Sequence, residues 1–367
     1  MLKKFAVKGY RGFSNRIEWD LSSPSNYEFN NFAIKNGIIK NGILYGQNGC
    51  GKTNFSLAIF DIVNHLTQKH RKVDYYDNFV FAGTPNALVD FEYTFRFGES
   101  DVVYAYSKTN KGVLINEALY VNGREIFNRI QKRLSIDRNI FPMEDAVIAD
   151  LSENANNVSI VNFLLSTFPL SLDNYLIRLK EFSEGMLWFR NVDVREFIGL
   201  ETGVTILDEY IIRKRLYNDF RIFLQEVCGQ TFDFVEPQKG EKVLYCKFGE
   251  NKIPFNDIAS TGTHALRLLY VWLQKINGEA SFVFIDEFDA FYHFELSYAV
   301  CKRLFALDCQ VFTSSHNTYL MTNDLLRPDC NFILRDNKIR PLCDCTEKEL
   351  RFANNIEKLY RGGTFRL

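Results

Sequence analysis

The chain has 367 residues, 46% hydrophobic and 24% charged, with a formal net charge of −1. That length fits one large domain or a core carrying an inserted lobe, and the composition excludes a disordered or low-complexity chain. The charge balance argues against a surface coated in basic residues, leaving nucleic acid only a local basic patch, and no apolar run is long enough to span a bilayer.

Residues 4–20 alternate apolar and polar positions about a turn near Gly12 and predict a β-hairpin. Phe32 to Lys40 reads as a continuation of that sheet. Gly42-Ile43-Leu44-Tyr45 is a short apolar strand, and a helix is expected from Asn54 to about Lys69. Phe91 to Phe97 alternates as a half-buried strand, and Val102–Tyr106 and Val113–Val121 add antiparallel strands. From about Glu125 to Val227 the character turns helical, with Leu164, Leu170, Leu176 and Leu179 in helical-looking segments. Leu216, Phe220, Phe223, Leu224 and Val227 keep amphipathic spacing without heptads, predicting a compact helical lobe. Val243–Phe248 and Lys252–Phe255 flank a hairpin turn at Gly249-Glu250-Asn251. The remainder alternates helix and strand.

Between the strand at Gly42–Tyr45 and the helix beginning near Asn54 lies Gly46-Gln47-Asn48-Gly49-Cys50-Gly51-Lys52-Thr53. Strand, glycine-rich turn, then helix is the setting of a phosphate-binding loop. The glycines let successive N–H groups converge on one phosphate, and the helix N-terminus adds its positive end. Lys52 is expected to reach the β- and γ-phosphates, and Thr53 to ligate Mg²⁺. A disulfide at Cys50 would obstruct this loop, so the eight scattered cysteines point to a reducing, cytoplasmic setting. Cys330, Cys343 and Cys345 lack paired C-x-x-C spacing and read as packed thiols. The basic start Met1–Phe5 lacks an apolar h-region, so no signal peptide is expected.

Two later strands carry chemistry. Ser281–Ile285 is apolar and ends in Asp286 and Glu287, delivering both acids to the C-terminal edge of a buried sheet. There Asp286 would hold Mg²⁺ through water and Glu287 would polarise the attacking water. Gln310–Ser315 ends in His316 and is expected beside the acidic strand, with the imidazole near the γ-phosphate. Ser260-Thr261-Gly262-Thr263 opens a helix reading from His264 to Gln274. It is either a plain N-cap or a second anion site. As an anion site it would serve the nucleotide of a second chain, because one γ-phosphate does not need two helix N-termini from the same chain.

The order of these motifs resembles ABC-type ATPases of the SMC/RecF/OLD group, in the branch of AAA-family ATP-binding proteins found in anti-phage systems such as OLD, Septu and PARIS. Val7–Phe13, Tyr45–Asn54, Ser260–Thr263, Ile285–Glu287 and Asn355–Gly363 carry the resemblance over nearly the whole chain. It implies an α/β fold: a P-loop nucleotide-binding domain with an antiparallel β-subdomain and an inserted helical lobe. The expected division is 1–124 (Walker A part), 125–228 (helical insertion) and 229–367 (signature, Walker B, switch histidine). Gly46, Asn48, Gly49, Gly51, Lys52, Thr53 and Asn54 would bind ATP in cis, and Ser260, Gly262 and Thr263 in trans. Thr53 and Asp286 would hold Mg²⁺, with Glu287 as catalytic base and His316 as switch histidine. Ala259 stands where the family has leucine, Tyr292 replaces leucine in the Asp289–His293 D-loop, and Asp77–Pro85 is the candidate region for a Q-loop.

The resemblance further implies slow ATP hydrolysis and a homodimer or higher oligomer closed by ATP. It also implies a role as sensor and scaffold for a separately encoded effector, a nuclease or toxin. Little chain follows His316, and no Glu…Asp-x-Asp nuclease constellation stands out. The alternative is a RecF/SMC-like repair ATPase that clamps DNA. A nuclease in its own right would rely on Glu144, Asp145 and Asp150, which read as a solvated helix face.

Overall fold

The computed structural model describes residues 1–22, 24–67, 69, 75–154, 158–190, 197–200 and 206–366. The first part of the chain forms β1 (Leu2–Lys8), β2 (Ile17–Asp20), β3 (Ile34–Lys35), β4 (Ile38–Ile39), β5 (Asn41–Tyr45), α1 (Lys52–Ile59) and α2 (Asp61–Leu66). Five strands follow: β6 (Val89–Phe97), β7 (Ser100–Lys108), β8 (Leu114–Val121), β9 (Arg124–Ile130) and β10 (Arg133–Ile136). Next come α3 (Asp145–Asn154), α4 (Ile160–Thr167), α5 (Tyr175–Glu184), β11 (Met186–Arg190), β12 (Phe197–Gly199), α6 (Leu207–Arg213) and α7 (Tyr217–Cys228). The hairpin β13 (Tyr245–Phe248) and β14 (Asn251–Pro254) leads to α8 (Phe255–Ile258) and α9 (Thr261–Ile276). Then β15 (Phe282–Asp286), α10 (Phe294–Phe305), β16 (Gln310–Ser315), β17 (Asn331–Arg335), β18 (Lys338–Pro341) and α11 (Ile356–Arg361) complete the fold.

Two sheets organise these elements. One is antiparallel, in the order β10-β9-β8-β7-β6-β1-β2. The other runs β12-β11-β15-β16-β5-β17-β18, parallel from β11 to β17 and antiparallel at its two edges. Strands β5, β15 and β16 are buried at every position; β15 accordingly reads as a continuous apolar run rather than an alternating one, whereas β16 buries the polar Gln310, Thr313, Ser314 and Ser315. In β6 the alternation is real: Val89, Phe91, Tyr93 and Phe95 face inward.

Aromatic residues lock the sheets together around α1. The Phe55 ring meets Phe5, Phe13 and Trp19, and Trp19 in turn meets Phe312 of β16 and Phe332 of β17. Burying a ring such as Phe55 contributes about 1.5–3 kcal/mol, and it fixes the first helix beside both sheets. The Gln310 carboxamide is a polar counterpart, accepting from Leu2 N at 2.6 Å and donating to the carbonyls of Leu2 and Ile39 at 2.9 and 3.1 Å.

Three expectations are corrected. Residues 32–40 do not extend the hairpin sheet: β3 and β4 pair only with each other. The helix after the loop does not run unbroken to Lys69, because α1 ends at Ile59 and α2 starts anew after Phe60. The stretch 125–228 is not wholly helical. It supplies β9 and β10 to the antiparallel sheet and β11 and β12 to the parallel one, with helices between and after them. Within that stretch Leu170 lies outside any helix. Its apolar run Met186–Phe189 is a buried strand, a state that a short apolar run does not distinguish from a helix.

Candidate functional site

The loop 46–51 leaves β5 at the C-terminal edge of the parallel sheet and enters α1. Gly51 is the N-cap residue with φ +103°, and a side chain there would run into the Phe13 ring. A Cβ on Gly46 would collide with Cys50 Sγ and the Leu334 carbonyl. The glycines are therefore required both by the backbone turn and by the packing beneath it. Lys52 is buried, and its ammonium donates to the carbonyls of Gly46 at 2.9 Å and Gln47 at 3.2 Å. Burial lowers its pKa, against the pull of Cys50, Asp286 and Glu287.

Asp286 is fully buried at the end of β15. Its Oδ2 accepts from Thr53 Oγ1 at 2.8 Å, and its Oδ1 from Ser314 Oγ at 2.7 Å. The Ser314 hydroxyl also accepts from Glu287 N at 2.8 Å, so one serine of β16 ties the two acids together. Glu287 has φ +49°, a left-handed conformation uncommon outside glycine, which turns the chain sharply off the strand. Its side chain remains about 40% exposed at the sheet edge. Strand order explains the convergence: β16 lies between β15 and β5, so Ser314 stands between the acids and the loop.

The oxygens present suit a hard divalent cation. Thr53 Oγ1 and Asp286 Oδ2 are 2.8 Å apart, close to the ~3.0 Å between neighbouring ligands of an octahedral Mg²⁺. A hydroxyl and a carboxylate match that ion's preference for oxygen ligands. Arg190, at the end of β11, also reaches this point. Its Nη2 lies 3.1 Å from Asp286 Oδ2 and 3.4 Å from Thr53 Oγ1, and its Nε lies 3.9 Å from Glu287 Oε2.

His316 follows β16 directly and is exposed. Desolvation, then the positive charge of Lys52, lowers its pKa, opposed by Glu287 and Asp286. Lys52, Asp286, Glu287 and His316 thus act on one another electrostatically. Asn54 faces a neighbouring cleft of about 790 Å³, where it accepts from Arg11 at 3.2 Å. The candidate Q-loop region brings Asp77 and Asn78 to the same cleft, and contains no glutamine.

The segment 260–263 belongs to a different helix. It opens α9, whose Trp272 packs on Phe189 of β11 and Phe197 of β12. Ser260 is a true N-cap, accepting from Thr263 N at 3.2 Å, and it is exposed. Thr263 is buried, with its hydroxyl donating to Gln230 at 2.9 Å, so its side chain faces the interior rather than a ligand. Gly262 lies against the D-loop, where a Cβ would come 3.1 Å from the Phe291 carbonyl. In that loop Asp289 accepts from Ser315 Oγ at 2.6 Å, and burial raises its pKa.

Sequence reasoning missed Arg190 and Ser314. Ser314 lay two residues before His316 in a strand already singled out, and its place beside two acidic strand-end residues was the available signal. Arg190 had none, since its acidic partner is 96 residues away.

No protein-family model matches the sequence, and no curated protein matches it. Solved structures do. The SMC head domain from Thermotoga maritima aligns at 15% identity over 92% of this chain and 97% of that one, with a TM-score of 0.45. An Smc head bound to the C-terminal winged-helix domain of ScpA aligns at 14% identity over 92% and 96%, with a TM-score of 0.47. The recombination mediator RecF of the RecFOR pathway aligns at 14% over 93% and 98%, with a TM-score of 0.41. At such identities and scores, the chain's own geometry carries the functional reading.

Proposed function

We propose that the chain is an ATPase whose nucleotide cycle opens and closes a homodimer. The observation that carries this reading is the cluster Thr53–Asp286–Ser314–Glu287, assembled from the ends of β15 and β16 and the start of α1 at the mouth of a glycine-rich loop. The main-chain N–H groups of 46–51 and the N-terminus of α1 would cradle the phosphates, with Lys52 neutralising the β- and γ-oxygens. Thr53 and Asp286 would hold Mg²⁺, which supplies charge neutralisation between the phosphates when bound. Glu287, turned off the strand in a left-handed conformation, would take a proton from water, and a neutral His316 would contact the γ-phosphate. Ser260 and Gly262 would meet the nucleotide held by the other chain's loop. Among the described residues no helix is long and apolar enough to cross a membrane.

At the next level, the ATP-closed dimer would act as sensor and scaffold of a prokaryotic anti-phage complex, restraining a separately encoded nuclease or toxin. The motif resemblance supports this, and it is an analogy of family rather than of chemistry. The test combines turnover with co-purification of tagged chain from its native operon in ATP and Mg²⁺. Lys52→Ala is expected to abolish nucleotide binding, and Glu287→Gln to bind ATP, stop turnover and retain a stoichiometric neighbour-encoded protein. Full ATPase activity in both variants would sink the site. Recovery of DNA alone, released at higher salt, would replace the effector reading with a DNA clamp.

A further inference from the structure

We propose that Arg190 is a resident cation that holds the metal's oxygens and yields them when Mg²⁺ arrives with nucleotide, so that this arginine sets the metal affinity of the site. The inference rests on the Mg²⁺–nucleotide reading above. Arg190 stands directly across the parallel ladder from Asp286, so β11 delivers the guanidinium to this carboxylate by register alone. Its Nη2 lies within 3.1–3.4 Å of the same two atoms, Asp286 Oδ2 and Thr53 Oγ1, that suit the cation. The other carboxylate oxygen is taken by Ser314.

The two cations compete. The lone pairs of Oδ2 that accept from Nη2 are those a metal, or a water bound to it, would use, and an arginine cannot relieve the conflict by losing its proton. It can only move. Its side chain is 26% exposed, and its Nε already faces Glu287 at the rim. A swing away from Asp286 toward that carboxylate keeps the guanidinium paired while it clears the metal position. An arginine that merely braced the sheet edge would behave differently, because its loss would loosen Asp286 and weaken metal binding. The sign of the effect therefore separates the two roles.

The experiment measures mant-ADP binding to the full chain by fluorescence at fixed low nucleotide, titrating Mg²⁺, for wild type, Arg190→Gln, Arg190→Lys, Asp286→Asn and Lys52→Ala. Removing the competing donor is expected to lower the Mg²⁺ half-point in Arg190→Gln by roughly tenfold, the scale of one charge-assisted hydrogen bond. Arg190→Lys, whose shorter side chain keeps the charge but reaches Oδ2 less closely, should shift in the same direction by less, and it decides the matter if Arg190→Gln does not fold. Lys52→Ala should not bind mant-ADP, and Asp286→Asn should lose the response to Mg²⁺. If Mg²⁺ leaves wild-type binding unchanged, or Asp286→Asn responds as wild type does, the metal reading itself falls. If those controls behave and the arginine variants show an unchanged or raised half-point, the role of Arg190 alone falls.

Discussion

At the scale of single residues, the site separates groups that must stay charged from one that must stay neutral. Lys52, Asp286 and Glu287 carry charge into a partly desolvated edge. His316 sits among them with its pKa lowered, first by burial and then by Lys52. Below an ordinary value near 6.5 the unfolded chain would bind a proton that the folded chain resists. Stability linked to His316 is thus intact above that value and declines as pH falls through and below it. The same shift keeps the imidazole neutral across pH 7 to 8, able to accept or donate at a phosphate oxygen. NMR titration of isotope-labelled histidines, assigned by loss of one signal in His316→Ala, is expected to give a midpoint below 6.5; a midpoint above it contradicts the proposed environment. His316→Ala should lower turnover by roughly 10²-fold with little change in ATP affinity.

At the scale of elements, the junction between the loop helix and the antiparallel sheet is polar as well as aromatic. Asp61, the first residue of α2, is fully buried and accepts from Tyr75 and Tyr106 hydroxyls at 2.9 and 2.7 Å and from Lys108 Nζ at 2.7 Å. Lys108 is equally buried at the end of β7. Truncating one member of such a pair strands the other charge, at a cost of about 3–5 kcal/mol. Lys108→Ala is therefore expected to lower unfolding free energy by that order in denaturant titration, whereas Asp61→Asn with Lys108→Met should restore most of it. A double variant as unstable as the single one would show that the network cannot be replaced by packing. None of this was legible in sequence, because Asp61 falls inside the helix expected through about Lys69 and Lys108 past the strand expected at Val102–Tyr106, where each looks like an ordinary surface residue. Strands β5, β6, β15 and β16 were legible, since their apolar runs or alternation answer directly to burial on two faces or one. The break at Phe60 and the strand β11 were not. Each depends on what the rest of the chain packs against it, and with β11 went Arg190.

At the scale of the whole molecule, the loop and the segment 260–263 belong to different helix starts, and in the proposed dimer a second chain would bring one of each to every nucleotide. Beside that segment and His316 the surface carries Phe291, Phe294 and Tyr319, exposed by 39%, 53% and 56%, with Phe294 and Tyr319 in ring contact at 5.6 Å. Exposed aromatics grouped next to a polar functional edge are what an intermittently closed interface presents. If closure is reciprocal, each site draws its loop from one chain and its second anion contact from the other. Gly262→Asp tests this, since an acid in the first turn of α9 suits the helix dipole while repelling phosphate; its Cβ would press on the Phe291 carbonyl at 3.1 Å, so the fold of the variant is checked by circular dichroism before mixing. Lys52→Ala and Gly262→Asp should each be inactive alone. Mixed in equal amounts with subunit exchange, half of the dimers pair the two defects, and each such dimer holds one site with an intact loop and an intact partner segment. Turnover should then recover to roughly a quarter of wild type. Recovery would assign Gly262 to the partner's nucleotide. Its absence, with exchange verified by fluorescence transfer between labelled chains, would confine each site to one chain and leave Ser260 as no more than a helix cap.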